Sequence, residues 1–285
     1  TLLQSAPMAV LEALALPYPF SLFESDAALI EQVWPSFYNA VAANAQAEAD
    51  YAQLIADMGR SNTQNALQTA LTKRLEFSLA DAAGVPESCL GSLDASFPDL
   101  AEYAGDIRRA MQKGSRVHSS LQAALADLPA DSSKKTIAKA YAELSTGLEQ
   151  GDAQLCQQAL LTQAGSLRAH LPDSAALRQA ADLLGRLQDW QNHAAALAYQ
   201  GRMTRLLRLL IAQYQDMKRE RGWLDMVDVE MAAKSLLTDA ALAAWMQERL
   251  DAQVRHLLID EFQDTSPLQW QVLKEWLGNY AGAGG

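Results

Sequence analysis

The sequence predicts a mainly α-helical protein, and three observations carry that reading. Ala and Leu dominate the 49% of residues that are apolar, and both are good helix formers. β-Branched and aromatic residues are sparse, which argues against a β-rich fold. Apolar residues recur at spacings of three and four, in segments closed by Gly and Pro. Strand content is expected to be one or two short strands at most, near the C-terminus.

In order, Pro7–Leu16 reads as a short helix broken by Pro17 and Pro19. Ser25 suits the N-cap of a helix starting at Asp26, in which Leu29, Ile30, Val33, Phe37 and Val41 share a face. Pro35 should kink or split that helix. Ala47–Met58 ends at Gly59, and Asn62–Ala83 ends before Gly84 and Pro86. A loop with Cys89 leads to a helix over Pro98–Lys113 that carries Arg108 and Arg109. With Arg116 and His118 these cations form a basic cluster, which suits either phosphate or solvent. Asp131–Lys135 and His170–Asp173 are polar breaks, and a helix bearing Cys156 starts at Gly151-Asp152.

From Ser174 to Gly222 the pattern is helical almost throughout, with Gly185 or Gly201 as possible divisions. Met203, Leu206, Leu210, Tyr214 and Met217 form its clearest apolar stripe. Arg202, Arg205, Arg208, Lys218, Arg219 and Arg221 make this the most basic part of the chain, either a solvated face or a DNA-backbone contact. Asp225 suits the cap of a following helix, with Asp228 in its first turn. A further helix, about Asp239–Val254, leads into the apolar run that precedes Asp260.

A formal charge of −11 gives the chain no general attraction for nucleic acid, so any DNA contact needs a local basic face. Cys89 and Cys156 lie in no metal-like spacing and form no disulfide framework, which suits a reducing cytoplasm. His118, His170, His193 and His256 are scattered and read as structural or surface residues. Glu12 interrupts the apolar N-terminus, no basic region precedes it, and no run reaches the ~20 apolar residues of a membrane span. The chain opens on Thr1 rather than Met and closes on Ala281-Gly282-Ala283-Gly284-Gly285, so it is expected to be a piece of a longer protein.

The chemistry concentrates in His256-Leu257-Leu258-Ile259-Asp260-Glu261-Phe262-Gln263-Asp264-Thr265-Ser266-Pro267-Leu268-Gln269-Trp270. A short apolar run entering two carboxylates reads as a buried strand, although a buried helix segment has the same pattern. A strand ending this way presents both acids at a sheet edge, where open α/β sheets bind nucleotides. One carboxylate suits Mg²⁺ and a second suits the attacking water of triphosphate hydrolysis. Asp260 fits the first role and Glu261 the second. Pro267 then suits the first turn of a helix capped by Thr265 or Ser266.

The run Asp260-Glu261-Phe262-Gln263-Asp264-Thr265-Ser266-Pro267-Leu268-Gln269-Trp270 resembles the Walker B segment, motif II, of superfamily 1 DNA helicases of the UvrD/Rep type. It is most similar to the RecB/AddA branch, the exodeoxyribonuclease V beta-like helicase-nucleases. Leu224-Asp225-Met226-Val227-Asp228-Val229 resembles the family's Leu-Asp-Phe-Asp-Asp-Leu segment, with Met226, Val227 and Val229 as departures. The specific likeness covers residues 200–277.

The resemblance implies an ATP-dependent helicase that unwinds DNA in double-strand break repair and recombination. It implies ATP and Mg²⁺ as cofactors. Its implied partners are single-stranded DNA, duplex junctions and a partner subunit. It gives Asp260 to Mg²⁺, Glu261 to water, and Gln263 and Asp264 to coupling nucleotide to DNA. It gives Arg202, Arg205, Arg208, Lys218 and Arg219 to DNA. Residues 1–24 become a connection from a first RecA-like core, 25–254 an inserted helical subdomain, and 255–285 the motif II strand and helix of that core.

No G-x-x-x-x-G-K-[ST] occurs in these 285 residues. The resemblance puts that phosphate loop before Thr1, and the Gly-Asp-Pro-Lys-Gln segment and second motor core after Gly285. This piece alone is therefore expected to be inactive towards ATP. Two other readings stand beside this one. The first is a helical interaction module with no enzymatic role. The second is a metal-dependent nuclease built on Asp260, Glu261 and Asp264, which lacks the nearby lysine of the Asp/Glu-x-Lys pattern because position 263 is Gln.

Overall fold

A computed structural model describes residues 8–14, 16–23, 26–84, 96–103, 107–238, 263, 265–266 and 268–274. Its elements are α1 (Met8–Ala13), β1 (Ser21–Leu22), α2 (Ala27–Ala42), α3 (Ala45–Met58), α4 (Arg60–Thr72) and α5 (Arg74–Ala82). They continue as α6 (Ile107–Ala110), α7 (Arg116–Ala126), α8 (Lys135–Gln150), α9 (Ala153–Leu160) and α10 (Ala175–Arg221). Then follow β2 (Trp223–Leu224) and α11 (Met226–Thr238), and a helix over 268–274, here α12. The fold is mainly α, as the composition predicts. The expected helix at 239–254 and the run 255–262 lie outside the described residues.

The chain forms two compact units, one of residues 1–82 with 202–285 and one of residues 83–201.

In the first unit, Leu29, Ile30, Val33, Phe37 and Val41 of α2 pack with Leu54, Leu67 and Leu71. Against them lie Leu206, Leu210, Tyr214 and Met217, the stripe read from the sequence. Pro35 sits inside α2, which continues as one element from Ala27 to Ala42. Asp26 precedes α2 but makes no capping hydrogen bond; its carboxylate is taken by Arg74 instead. The single helix expected over Asn62–Ala83 is two, parted at Lys73. No Gly or Pro marks that break. The turn aims Arg74 inward, so a tertiary contact overrides local propensity.

The two strands pair in parallel, Ser21 with Trp223 and Leu22 with Leu224. One of them therefore lies near the N-terminus, contrary to the sequence expectation. A parallel pair needs a long crossover, so local pattern cannot reveal it. Gly222, at φ 65°, makes the pairing possible: a Cβ there would lie 2.6 Å from the Pro19 carbonyl oxygen.

In the second unit, Leu121, Ile137, Leu144, Cys156, Leu160, Leu177, Leu184 and Trp190 are part of one core. The helix expected over Pro98–Lys113 is a 3₁₀ turn at Ala101–Tyr103 and the four-residue α6. Neither Gly185 nor Gly201 divides α10, which runs for 47 residues.

The α8–α9 hairpin is close-packed. Gly151 closes α8 in the left-handed region, at φ 69°, and the Asp152 carboxylate accepts from the N–H groups of Gln154 and Leu155 at 2.8 and 3.2 Å. A Cβ on Gly147 would lie 2.7 Å from Cys156 Sγ and 3.0 Å from the Asp152 carbonyl. The thiol is buried, which pushes its pKa up to about 12 and leaves it inert. Gly147→Ala is expected to destabilise the domain by about 1–3 kcal/mol through overpacking, against a helix-propensity gain below ~1 kcal/mol. Urea denaturation checks this, and Cys156→Ala in the same background should recover part of the loss.

Candidate nucleotide and nucleic-acid site

Asp260, Glu261 and Asp264 lie outside the described residues. The nearest described residues in sequence are those up to Thr238 before them, and Gln263, Thr265, Ser266 and 268–274 around and after Asp264. Gln263 is exposed. Beyond it, α12 starts with a reciprocal cap, as the Ser266-x-x-Gln269 pattern permits. Gln269 N–H donates to Ser266 Oγ at 3.2 Å, and Ser266 N–H donates to Gln269 Oε1 at 3.1 Å. The other end of the same carboxamide, Nε2, donates to Glu230 Oε1 on α11 at 2.8 Å. Leu268 is 2% exposed. Glu230, Ala233, Leu268, Gln269 and Val272 help line one apolar cavity of about 310 Å³.

At its N-terminus α11 is held by buried charges. Asp225 caps it, as the sequence reading expects: Oδ1 accepts from Asp228 N–H at 3.1 Å, and Asp225 N–H donates to Asp228 Oδ2 at 3.0 Å. Lys218 Nζ bridges both carboxylates at 2.6 Å each. Tyr214 Oη donates to Asp225 Oδ2 at 3.1 Å. Arg74 Nη1 donates to Asp26 Oδ2 at 2.7 Å. Arg74 Nη2 lies 2.8 Å from Asp225 Oδ2 without an aligned N–H, a charge–charge contact rather than a hydrogen bond. Both cations also face the Tyr214 ring, at 5.0 Å for Arg74 and 4.7 Å for Lys218.

Asp225 is 0% exposed. Burial alone would push its carboxyl up, but Lys218 and Arg74 outweigh that and hold it below the ordinary 3.8. Burial, reinforced by the Asp225 charge, keeps the Tyr214 hydroxyl protonated.

The cations expected on DNA are mostly engaged within the protein. Arg205 grips Asp50 with Nε and Nη2 at 2.7 and 2.9 Å. Arg208 Nε lies 3.0 Å from both oxygens of Asp81. Both carboxylates are held below the usual range, chiefly by these hydrogen bonds. Arg202 is 3.8 Å from Asp57, and Arg219 is 3.2 Å from Asp216 on its own helix. Lys218 is 3% exposed, and its charge lies against Asp225 and Asp228.

Comparison with known proteins supplies the family. The UvrD/REP helicase N-terminal domain matches residues 43–281, most of the chain. The chain belongs to that family. It is also 38% identical over 66 residues to an ATP-dependent helicase/nuclease subunit from Lactobacillus gasseri. That alignment covers 23% of this chain and 6% of the relative's length. No solved structure matches the chain.

In this UvrD/Rep domain, sequence reasoning located the Asp225 cap but missed the partners of its carboxylate. Lys218 and Tyr214 lie seven and eleven residues away across a helix end, and Arg74 is distant in sequence. The double duty of Gln269 was also missed, although the Ser-x-x-Gln pattern signalled half of it. Among the described residues, no group of three or more His, Cys, Asp or Glu is placed to hold a metal ion. No described helix is long and apolar enough to cross a membrane.

Proposed function

We propose that this chain is part of an ATP-dependent DNA helicase of the RecB/AddA kind, acting in double-strand break repair and recombination in the cytoplasm. The observation that carries the reading is the family match over 43–281, within which lies the run Asp260-Glu261-Phe262-Gln263-Asp264. The likeness to one component of a helicase/nuclease supports the branch and the presence of a partner subunit.

Adjacent carboxylates are hard oxygen donors, so the donor set fits Mg²⁺. Bound Mg-ATP supplies the phosphoanhydride to be cleaved and a cation that neutralises its charge. Asp260 would hold the cation. Glu261 orients the attacking water and takes its proton on a carboxylate oxygen. Gln263 and Asp264 pass the nucleotide state to the DNA-translocating parts. Residues 1–24 and 255–285 belong to the motor core in this reading, and 25–254 to the helical subdomain. The phosphate cradle is assigned to sequence outside these 285 residues, and the isolated chain is expected not to hydrolyse ATP.

Phosphate contacts are assigned first to Arg202 and Arg219, whose ion pairs are loose or local. Arg205 and Arg208 sit in bidentate pairs that DNA would have to displace. In the full-length protein, Arg202→Gln and Arg219→Gln should weaken single-stranded DNA binding at every sequence. Each should also flatten the salt dependence by roughly 0.7 in log–log slope. Arg205→Gln should leave the slope unchanged and lower stability. Anisotropy titrations over a salt series check this, and a slope lost in Arg205→Gln instead would reverse the assignment. The reading as a whole is tested by strand displacement on a tailed duplex: separation requires ATP, and its absence from the full-length protein refutes helicase activity.

A further inference from the structure

We propose that Glu230 and Gln269 are positioning residues for ATP hydrolysis, tying the segment that follows Gln263 to a helix whose start is fixed by buried charges. The inference rests on the helicase reading above and adds a mechanical link to it.

The link has two anchored ends. At one end, Asp26, Arg74, Lys218, Asp225 and Asp228 come from four places in the chain and meet at the first turn of α11. An apolar contact of similar volume would hold these elements as well or better. Buried, hydrogen-bonded charges add direction: Lys218 reaches both carboxylates of the α11 cap, so the helix start has one orientation relative to α10 and α5.

At the other end, Gln269 joins α11 to α12. Its carboxamide has an acceptor and a donor, and both are used. Oε1 takes the Ser266 N–H, fixing where α12 begins, and Nε2 donates to Glu230, fixing α12 on α11. A glutamate at 269 would keep the cap and lose the donor. It would also set a carboxylate against Glu230. Ser266, whose backbone is held by this cap, lies three residues beyond Gln263 and five beyond Glu261. Displacements of ~1 Å in a reacting group, caused from a distance, can cost up to ~10²-fold in rate.

The chemistry therefore gives a test that leaves the buried cluster untouched. In the full-length protein, Gln269→Glu should lower the single-stranded-DNA-stimulated kcat for ATP by about 10- to 10²-fold. KM for ATP should change far less. Glu230→Gln in that background should restore most of the loss, because Gln at 230 donates to Glu at 269 and re-forms the tie with its polarity reversed. Glu230→Gln alone should be nearly silent, since an amide oxygen still accepts from Gln269. Rescue by the second substitution separates a tie between these two side chains from a merely weakened α12. An unchanged kcat in Gln269→Glu overturns the inference, and so does a loss that Glu230→Gln does not rescue. A wild-type protein without DNA-stimulated hydrolysis overturns instead the helicase reading on which it rests.

Discussion

Replacing Asp225 by Ala should cost the domain about 3–5 kcal/mol of stability, the range for removing one member of a buried ion pair. The carboxylate is fully buried and meets Arg74, Lys218 and Tyr214 through one oxygen. The other oxygen caps α11, and loss of a cap alone typically costs ~1 kcal/mol. Without Asp225, two largely buried cations share Asp26 and Asp228, and the Tyr214 hydroxyl loses its acceptor. Asp225→Asn keeps the shape and the cap, so it should fall short of the full loss. Its deficit should also depend on pH. The folded-state pKa of Asp225 is depressed, so the stability it contributes is present above the ordinary carboxylate value and is lost as pH falls through the folded one. The gap between wild type and Asp225→Asn should be widest near neutrality and narrow below about pH 4. Denaturant midpoints at several pH values measure it. A gap that is constant, or absent at pH 7, removes Asp225 from the centre of the fold.

Glu261→Gln in the full-length protein should lower ATP turnover by ~10²–10⁴-fold, the usual worth of general-base assistance, or roughly 3–5 kcal/mol of barrier. Glutamine keeps the reach of the side chain but cannot accept the proton. In the proposed function Asp260 still holds the cation, so nucleotide binding should stay near wild type. Asp260→Asn should differ by weakening Mg²⁺-dependent nucleotide binding as well. Retention of more than about a tenth of wild-type turnover in Glu261→Gln would give the proton to another residue.

The helical class was legible because it is a local property. Ala/Leu content and three–four periodicity suffice, and the stripe from Leu206 to Met217 packs as read. Boundaries set by tertiary contacts were not legible. Nothing near Lys73 announces the break that turns Arg74 inward, and nothing near Ser21 announces a parallel partner two hundred residues later. The arginines of α10 show the same limit from the charge side. A run of cations on one helix looks available to DNA until Asp50 and Asp81, contributed by α3 and α5, are brought against it. The family was legible for a different reason. Paired carboxylates and the residues after them are a chemical signature that resembles a known family, and that family matches the chain. What that run could not reveal is the contact of Gln269 with Glu230, because Glu230 lies 39 residues earlier.

The most direct measurement is steady-state ATP hydrolysis by the full-length protein that carries this chain, with and without single-stranded DNA. The expected result is Mg²⁺-dependent hydrolysis that DNA stimulates and that Glu261→Gln lowers by ~10²-fold or more with nucleotide binding retained. Hydrolysis indifferent to DNA, or none from a folded protein that binds both ATP and DNA, would contradict the helicase reading.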